Sequence, residues 1–237
     1  MPYTSVTRAQ FRALVRNQLG SGGLASSFWR DTEINFIINE SLRFYNLLTG
    51  YWKTRAILPT TAATVWYTTP GIITSNMRVS FNGFPMRSAS LYSMDFGRSG
   101  WESEKTTDGG DIPTRPKYFI IGALNKLAIW PADAAGANSL ALDGIAVTPI
   151  LVNDASTLDV GQEDMNGLLD LCQHIAAFKE GGLEFKNSME SFKQFLEGAG
   201  ERNAILKRCA AYRRWLGLDK GRQQRPLKIA SEAMGAR

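Results

Sequence analysis

The sequence predicts an α+β protein: a helical bundle formed by N- and C-terminal helices, an inserted antiparallel β domain, and an extended C-terminal tail. Three observations carry this. Apolar residues recur at helical spacing near both ends of the 237-residue chain. Between them, residues 53–155 are rich in β-formers and hairpin-type turns. Beyond residue 216 the helical spacing fades and basic residues accumulate.

The first helix follows Thr7, which forms a capping-box pattern with Gln10, and it stripes Phe11, Leu14, Val15 and Leu19 along one face. Gly20, Gly22 and Gly23 stop it. A longer helix starts near Asp31 or Thr32. It carries Ile34, Ile37, Ile38, Leu42, Tyr45 and Leu48 inward and ends at Gly50. The short glycine-bearing link predicts an antiparallel pair.

After Trp52 the texture changes. Thr54–Tyr67 holds β-formers and a proline; Met77, Val79 and Phe81 alternate with polar neighbours ahead of the turn pair Asn82-Gly83. Tyr118–Ile121 and Leu127–Trp130 read as two strands around Asn125-Lys126, and Leu140–Val147 as another. Ser88–Pro113, rich in Ser, Gly and Asp, reads as an extended loop.

Helical spacing returns at Asp159, which with Gln162 forms a second possible capping box. Leu168, Leu171, Cys172, Ile175 and Phe178 are expected to face inward, and Gly181-Gly182 to break the helix. Phe185, Met189, Phe192 and Leu196 stripe the next helix. The pattern weakens at Gly198 and Gly200 and resumes at Ile205, Leu206, Cys209, Tyr212 and Leu216, as one bent helix or two. An isolated helical pair cannot bury its apolar faces, so the N-terminal pair is expected to close on the C-terminal helices. The expected domains are residues 1–52 with 156–216, residues 53–155, and a basic extension 217–237. The β region would then project as an insertion and give the subunit two surfaces for neighbours.

The net charge of +5 is uneven: residues 201–237 hold ten Lys or Arg against three acids. This segment has three readings: a DNA-channel lining that meets phosphates without reading bases, an arm on an acidic partner, or a solvated tail. Arg213, Arg214, Trp215, Lys220, Arg222, Arg225 and Lys228 are its partner-interface candidates, with Trp101 and Trp130 in the β region, where a large aromatic serves equally as core. No apolar run approaches bilayer-spanning length, and the N-terminus lacks the basic tip and apolar core of a secretory signal, so the chain is expected to fold in a cytoplasm without a membrane partner.

No catalytic, cofactor or metal site is expected. His174, the single histidine, has no identifiable nucleophile or orienting acid and reads as a core-edge or interface residue. Cys172 and Cys209 read as two buried thiols rather than a disulfide. A Cys172/His174/Cys209 zinc site would need a fourth ligand, and Asp108-Gly109-Gly110-Asp111 lacks the ligand ladder of a calcium loop. Neither a GxGxxG nor a GxxxxGK[ST] motif is present.

Three stretches carry a family resemblance. FWRDTEINFIINESLRFYNLLTGYWKTRAIL is a long helix ending in aromatics and running into a strand. RPKYFIIGALNKLAIWPADAAG is a strand–turn–strand ending in Trp130-Pro131. LDVGQEDMNGLLDLCQHIAAFKEGGLEFKNSMESFKQFL is an acidic helix start leading to a helical pair. In this order, over about residues 5–214, the chain resembles the head-to-tail adaptor, or neck, proteins of tailed phages, also called head completion or tail tubular proteins. The resemblance implies a non-enzymatic virion protein at the head–tail junction. It implies a ring of copies, twelvefold in the usual case, beneath the portal protein. Genomic DNA would pass through without sequence-specific binding, and the tail or a second neck protein would dock below. It also implies that Gly217–Arg237 is an extension packing into a neighbouring component. The alternatives from other classes are a DNA-binding structural protein using its basic C-terminal region, and a small hydrolase without a recognisable motif.

Overall fold

The computed structural model describes residues 5–20, 28–123, 125–203, 208, 209, 213 and 216. N- and C-terminal helices flank a central β region. The chain divides into two compact units, Met1–Thr49 with Ile150–Arg237, and Gly50–Pro149.

The helical unit opens with β1 (Val6–Thr7) and α1 (Arg8–Gln18). Thr7 caps α1 as its spacing predicts: the Gln10 N–H donates to Thr7 Oγ1 and the Thr7 N–H donates to Gln10 Oε1. In α2 (Asp31–Thr49), Ile34, Ile37, Ile38, Leu42 and Tyr45 are buried. Gly50, at φ +61°, supplies the left-handed residue just past its end. The long helix α4 (Gln162–Glu180) packs against α1, α2 and α6 (Met189–Arg202), with the short α5 (Gly182–Asn187) between α4 and α6. The bundle core includes Phe11, Val15, Trp29, Leu168, Leu171, Cys172, Ala176, Phe195 and Ala199. The N-terminal pair therefore closes on the C-terminal helices. A short ladder ties the two ends of this unit, with Val6 opposite Leu158 in β10 (Thr157–Leu158).

Several expectations change here. Asp159 does not cap α4; the N-cap is Gly161, and no side chain fills that role. Leu14 and Phe178 point outward, at 43% and 72% exposure. The stripe predicted from Phe185 to Leu196 is broken at Ser188, whose Oγ donates to the Phe185 carbonyl. Helix α6 runs through Gly198 and Gly200 and ends at Arg202, where Asn203 Nδ2 donates to the Leu48 carbonyl. Ile205, Leu206 and Tyr212 lie outside the described residues. Both cysteines are free. Cys172 is buried as expected, but Cys209 is exposed.

The β unit contains two four-stranded sheets. One has the order β2 (Lys53–Pro59), β9 (Ser139–Ala146), β4 (Ile73–Phe81), β5 (Phe84–Pro85). The other has β3 (Trp66–Thr68), β8 (Lys126–Trp130), β7 (Tyr118–Ala123), β6 (Arg87–Ala89). Pairing is antiparallel except between β6 and β7. Asn82 and Gly83, at φ +47° and +81°, turn β4 into β5 as the pair predicts. Tyr67, Val79, Phe81, Phe119, Leu127, Ile129, Leu140 and Leu142 from both sheets share one core. The opposite face of the second sheet is covered too, where Ile120, Ala128 and Trp130 pack with Val65, Met94 and Trp101. Burial on both faces explains the uninterrupted apolar runs in β7 and β8.

The β-forming stretch Thr54–Tyr67 contributes to two strands, β2 and β3. The expected run of Met77, Val79 and Phe81 on one face is broken by a bulge. Register slips between Asn76 and Arg78, so Met77 is the extra residue and turns to solvent at 58% exposure. Opposite the bulge, a Cβ on Gly144 would lie 2.4 Å from the Ser75 carbonyl oxygen. Ser88–Pro113 is not a plain loop: it holds α3 (Leu91–Gly97), capped by Ser90, and a 3-10 turn at Trp101–Ser103. Its anchor is the buried Trp101.

Candidate interaction surfaces

Trp101 and Trp130 are both buried, at 2% and 6% exposure, so each occupies a core position of the β unit. Each indole N–H meets a carboxylate. Trp101 Nε1 donates to Asp95 Oδ1 at 2.8 Å, and Trp130 Nε1 donates to Glu104 Oε2 at 2.6 Å. A third indole, Trp66, donates to Glu102 Oε1 at 2.9 Å. Glu104 also receives Arg98 Nε at 2.7 Å, while the Arg98 guanidinium lies 4.7 Å from the Trp130 ring centre. Glu102 and Glu104 thus fasten the 95–104 stretch to the second sheet, while Asp95 ties the stretch to itself. A buried indole N–H requires such a partner.

On the helical unit, Arg8, Arg12 and Arg16 recur every fourth residue along α1. Asp154 sits between the first two, accepting from Arg8 Nη2 at 2.7 Å and Arg12 Nη2 at 2.8 Å. Asp31 accepts from Arg16. The bonds from Arg12 and then Arg8 hold the Asp154 carboxyl down at about 2. Charge-assisted bonds of this kind tie α1 to the 151–158 segment and to the start of α2. These arginines are committed to structure.

Beside them is an apolar groove of ≈ 530 Å³, lined by Trp29, Phe36, Ile37, Ile175 and Phe178. Phe36 is 63% exposed and Phe178 is 72% exposed. Lys179 closes the rim. Its Nζ donates to Glu33 Oε1 and to the Phe28 carbonyl, each at 2.8 Å, and stands 4.8 Å from the Trp29 ring centre. That bond, with the Arg30 backbone N–H, lowers the Glu33 pKa. Leu47 lies further along the outer side of α2, also exposed. In the β unit, Tyr92 and Phe96 stack with ring centres 5.9 Å apart on α3, and both face solvent.

The chemical candidates read plainly. His174 is buried, and burial pushes its pKa down. Its Nδ1 is 2.9 Å from Ser188 Oγ, and its ring stacks on Phe192 at 4.4 Å. The Ser188 hydroxyl is already donating to a carbonyl, so His174 Nδ1 is the donor of that pair. Burial pushes the Cys172 thiol up to about 12, far from a reactive thiolate, and its Sγ donates to Ser41 Oγ at 3.1 Å. Asp108 accepts from the Lys105 N–H within its own turn. No cluster of metal-ligating side chains is present among the described residues. No helix among them is long and apolar enough to cross a membrane.

What the described residues offer is exposed apolar and aromatic patches on each unit of a chain ordered helix, β region, helix. That same order is matched by the sequence profile of the SU10 adaptor protein family, over residues 4–216. The chain belongs to this family. No curated protein matches it. The adaptor is a structural head-to-tail protein of tailed phages, and membership assigns it no enzymatic activity. Family membership implies a place at the virion's head–tail junction, with adaptor-type partners.

Of the adaptor's basic candidates, Arg213 is half-buried and its N–H donates to the Cys209 carbonyl at 3.0 Å. Arg214, Trp215, Lys220, Arg222, Arg225 and Lys228 lie outside the described residues. The exposure of the aromatics Phe36, Tyr92, Phe96 and Phe178 was not expected from the sequence, which places Phe178 inward. A signal existed for Phe36 and Leu47, which fall outside the buried stripe of α2. A helix apolar beyond one stripe needs cover on more than one side.

Proposed function

We propose that the adaptor closes into a ring beneath the portal protein, twelve copies in the expected form, extending the DNA channel and offering its far side to the tail or a second neck protein. The observation that supports this best is the extent of the family match: residues 4–216 take in both helical ends and the whole β unit. Function is then geometric. Each subunit presents one surface to its left neighbour and a different one to its right, and such heterologous contacts close when the rotation permits. Contacts of modest strength become durable when every subunit is held twice.

DNA must slide through, which disfavours tight phosphate binding along the inner wall. The basic excess of residues 201–237 is therefore assigned to docking on a neighbouring junction protein. The test is the mass and symmetry of the complex formed with the cognate portal, by native mass measurement and particle averaging. A closed ring coaxial with the portal is expected. A persistent monomer with no portal binding at any salt concentration would overturn the reading.

A further inference from the structure

The adaptor's β unit keeps its charges of opposite sign apart. Stretches 79–94 and 112–119 contain Arg87, Arg115 and Lys117 and no acid, whereas 95–111 holds five acids against two bases, Arg98 and Lys105. Arg87, Arg115 and Lys117 are all exposed, and among the described residues none of them makes a salt bridge. The fold gathers them at the corner where β5 passes to β6. The Arg87 N–H donates to the Lys117 carbonyl at 2.8 Å, and the Arg115 guanidinium lies 4.1 Å from the Phe84 ring centre on β5. The ring holds that guanidinium at the corner without neutralising it.

The acidic stretch is fastened toward the other edge of the same sheet. Glu102 accepts the Trp66 indole N–H on β3 at 2.9 Å. Asp108 accepts the Lys105 backbone N–H at 2.7 Å, beside the bridge from Lys105 to Ala132 just past β8. Both donors are neutral, so neither bond offsets the negative charge, and both acids are exposed. Arg98 and Glu104 neutralise each other. Asp111 forms no ion pair with Arg115, four residues on. Strands β3 and β6 are the outer strands of the order β3-β8-β7-β6. Three steps of about 4.8 Å, roughly 14 Å, separate them, more than the screening length of about 8 Å at physiological salt. Glu102 and Arg87 therefore act as separate charges within one copy.

We infer that the Arg87–Arg115–Lys117 corner of one copy docks on the 95–111 stretch of the next. This rests on the ring reading and supplies its left and right faces from the two edges of one sheet. Charge selects the occupant: three cations at the corner meet a stretch with an excess of three acids, five less two. Because corner and stretch differ, the contact is heterologous and propagates from copy to copy. Exposed ion pairs are individually weak, so the contact relies on several charges together and on closure of the ring. The same charges fix orientation, since corner-to-corner and stretch-to-stretch encounters are repulsive.

The test uses the full chain. One variant reverses the corner, Arg87→Glu with Lys117→Glu, and another the stretch, Glu102→Lys with Asp108→Lys; circular dichroism melting verifies that both fold. Native mass measurement across a concentration series is expected to show each variant alone associating about tenfold or more weakly than wild type. Mixed in equal amounts, the two are expected to recover as alternating assemblies, because every contact then joins opposite charges again. On the wild type, carbodiimide coupling in mixed heavy- and light-isotope copies is expected to link Lys117 of one copy to a carboxylate of 95–111 in another. Should a variant fail to fold, this coupling alone decides. Variants that assemble like wild type, a mixture that stays dissociated, or Lys117 links confined to one copy or to the portal would overturn the contact and leave the ring standing. So would duplex-DNA binding that the corner reversal abolishes while association is unchanged, which would make the corner a phosphate-binding surface. A wild type that never assembles, alone or with portal, overturns both.

Discussion

Asp154 is the residue on which the α1 junction depends, because one carboxylate serves Arg8 and Arg12 together. Its carboxyl, held at about 2 in the fold, is ordinarily near 4 when the chain is unfolded. The folded form therefore binds fewer protons, and this contribution is complete above about pH 4 and disappears as pH falls through about 2. Asp154→Asn should lower the melting temperature at neutral pH and flatten its decline between about pH 4 and pH 2; melting curves across that range check both. In the β unit, Glu104→Ala should destabilise by about 1–3 kcal/mol, since it strands the Trp130 N–H and Arg98 together; denaturant titration followed by tryptophan fluorescence measures it. Little of this was legible in the sequence. The every-fourth-residue arginines are visible in α1, but their acid lies 142 and 146 residues away from Arg12 and Arg8. For Trp101 and Trp130, residue type does not distinguish a contact aromatic from a core one; the nearby carboxylates decide, and they come from a segment read as loop.

Among the elements, those specified locally were legible. The Thr7–Gln10 cap and the Asn82-Gly83 hairpin each depend on a few adjacent residues, and both form as read. Elements that depend on distant partners were not. Helix α3 has only seven residues, too few to show periodicity, and it exists because Met94 and the neighbouring Trp101 have a sheet face to cover. Asp159 failed as a cap because the chain is still paired in β10 at Leu158, and the helix begins only at Gln162. The bulge in β4 likewise depends on a partner strand. Gly144→Ala would drive a methyl group into the Ser75 carbonyl and the Ile73 side chain. It should cost about 1–3 kcal/mol, or force the bulge to shift. Chemical denaturation measures the cost, and amide exchange at Ser75–Arg78 locates any shift.

For the whole molecule, the order helix, β region, helix was legible because each segment announces its own periodicity. The apolar groove on the helical unit and the exposed Tyr92–Phe96 pair were not, because exposure is a property of packing. The deletion of residues 217–237 tests the part of the reading that is carried by charge. The truncated chain should melt like the full one but bind the neighbouring junction protein more weakly, with a shallower dependence on salt, in a pull-down titration. The division of the chain into a continuous unit and a split one also bears on biosynthesis. A chain emerges from the ribosome N-terminus first, at about 5–20 residues per second. Gly50–Pro149 is complete as one stretch, whereas α1 and α2 wait for α4 and α6 before their apolar faces are covered. A nascent chain stalled before α4 would have a finished β unit and an unfinished bundle. The bundle core would be covered only once α4 and α6 have emerged, so a fragment that lacks them would leave the apolar faces of α1 and α2 bare.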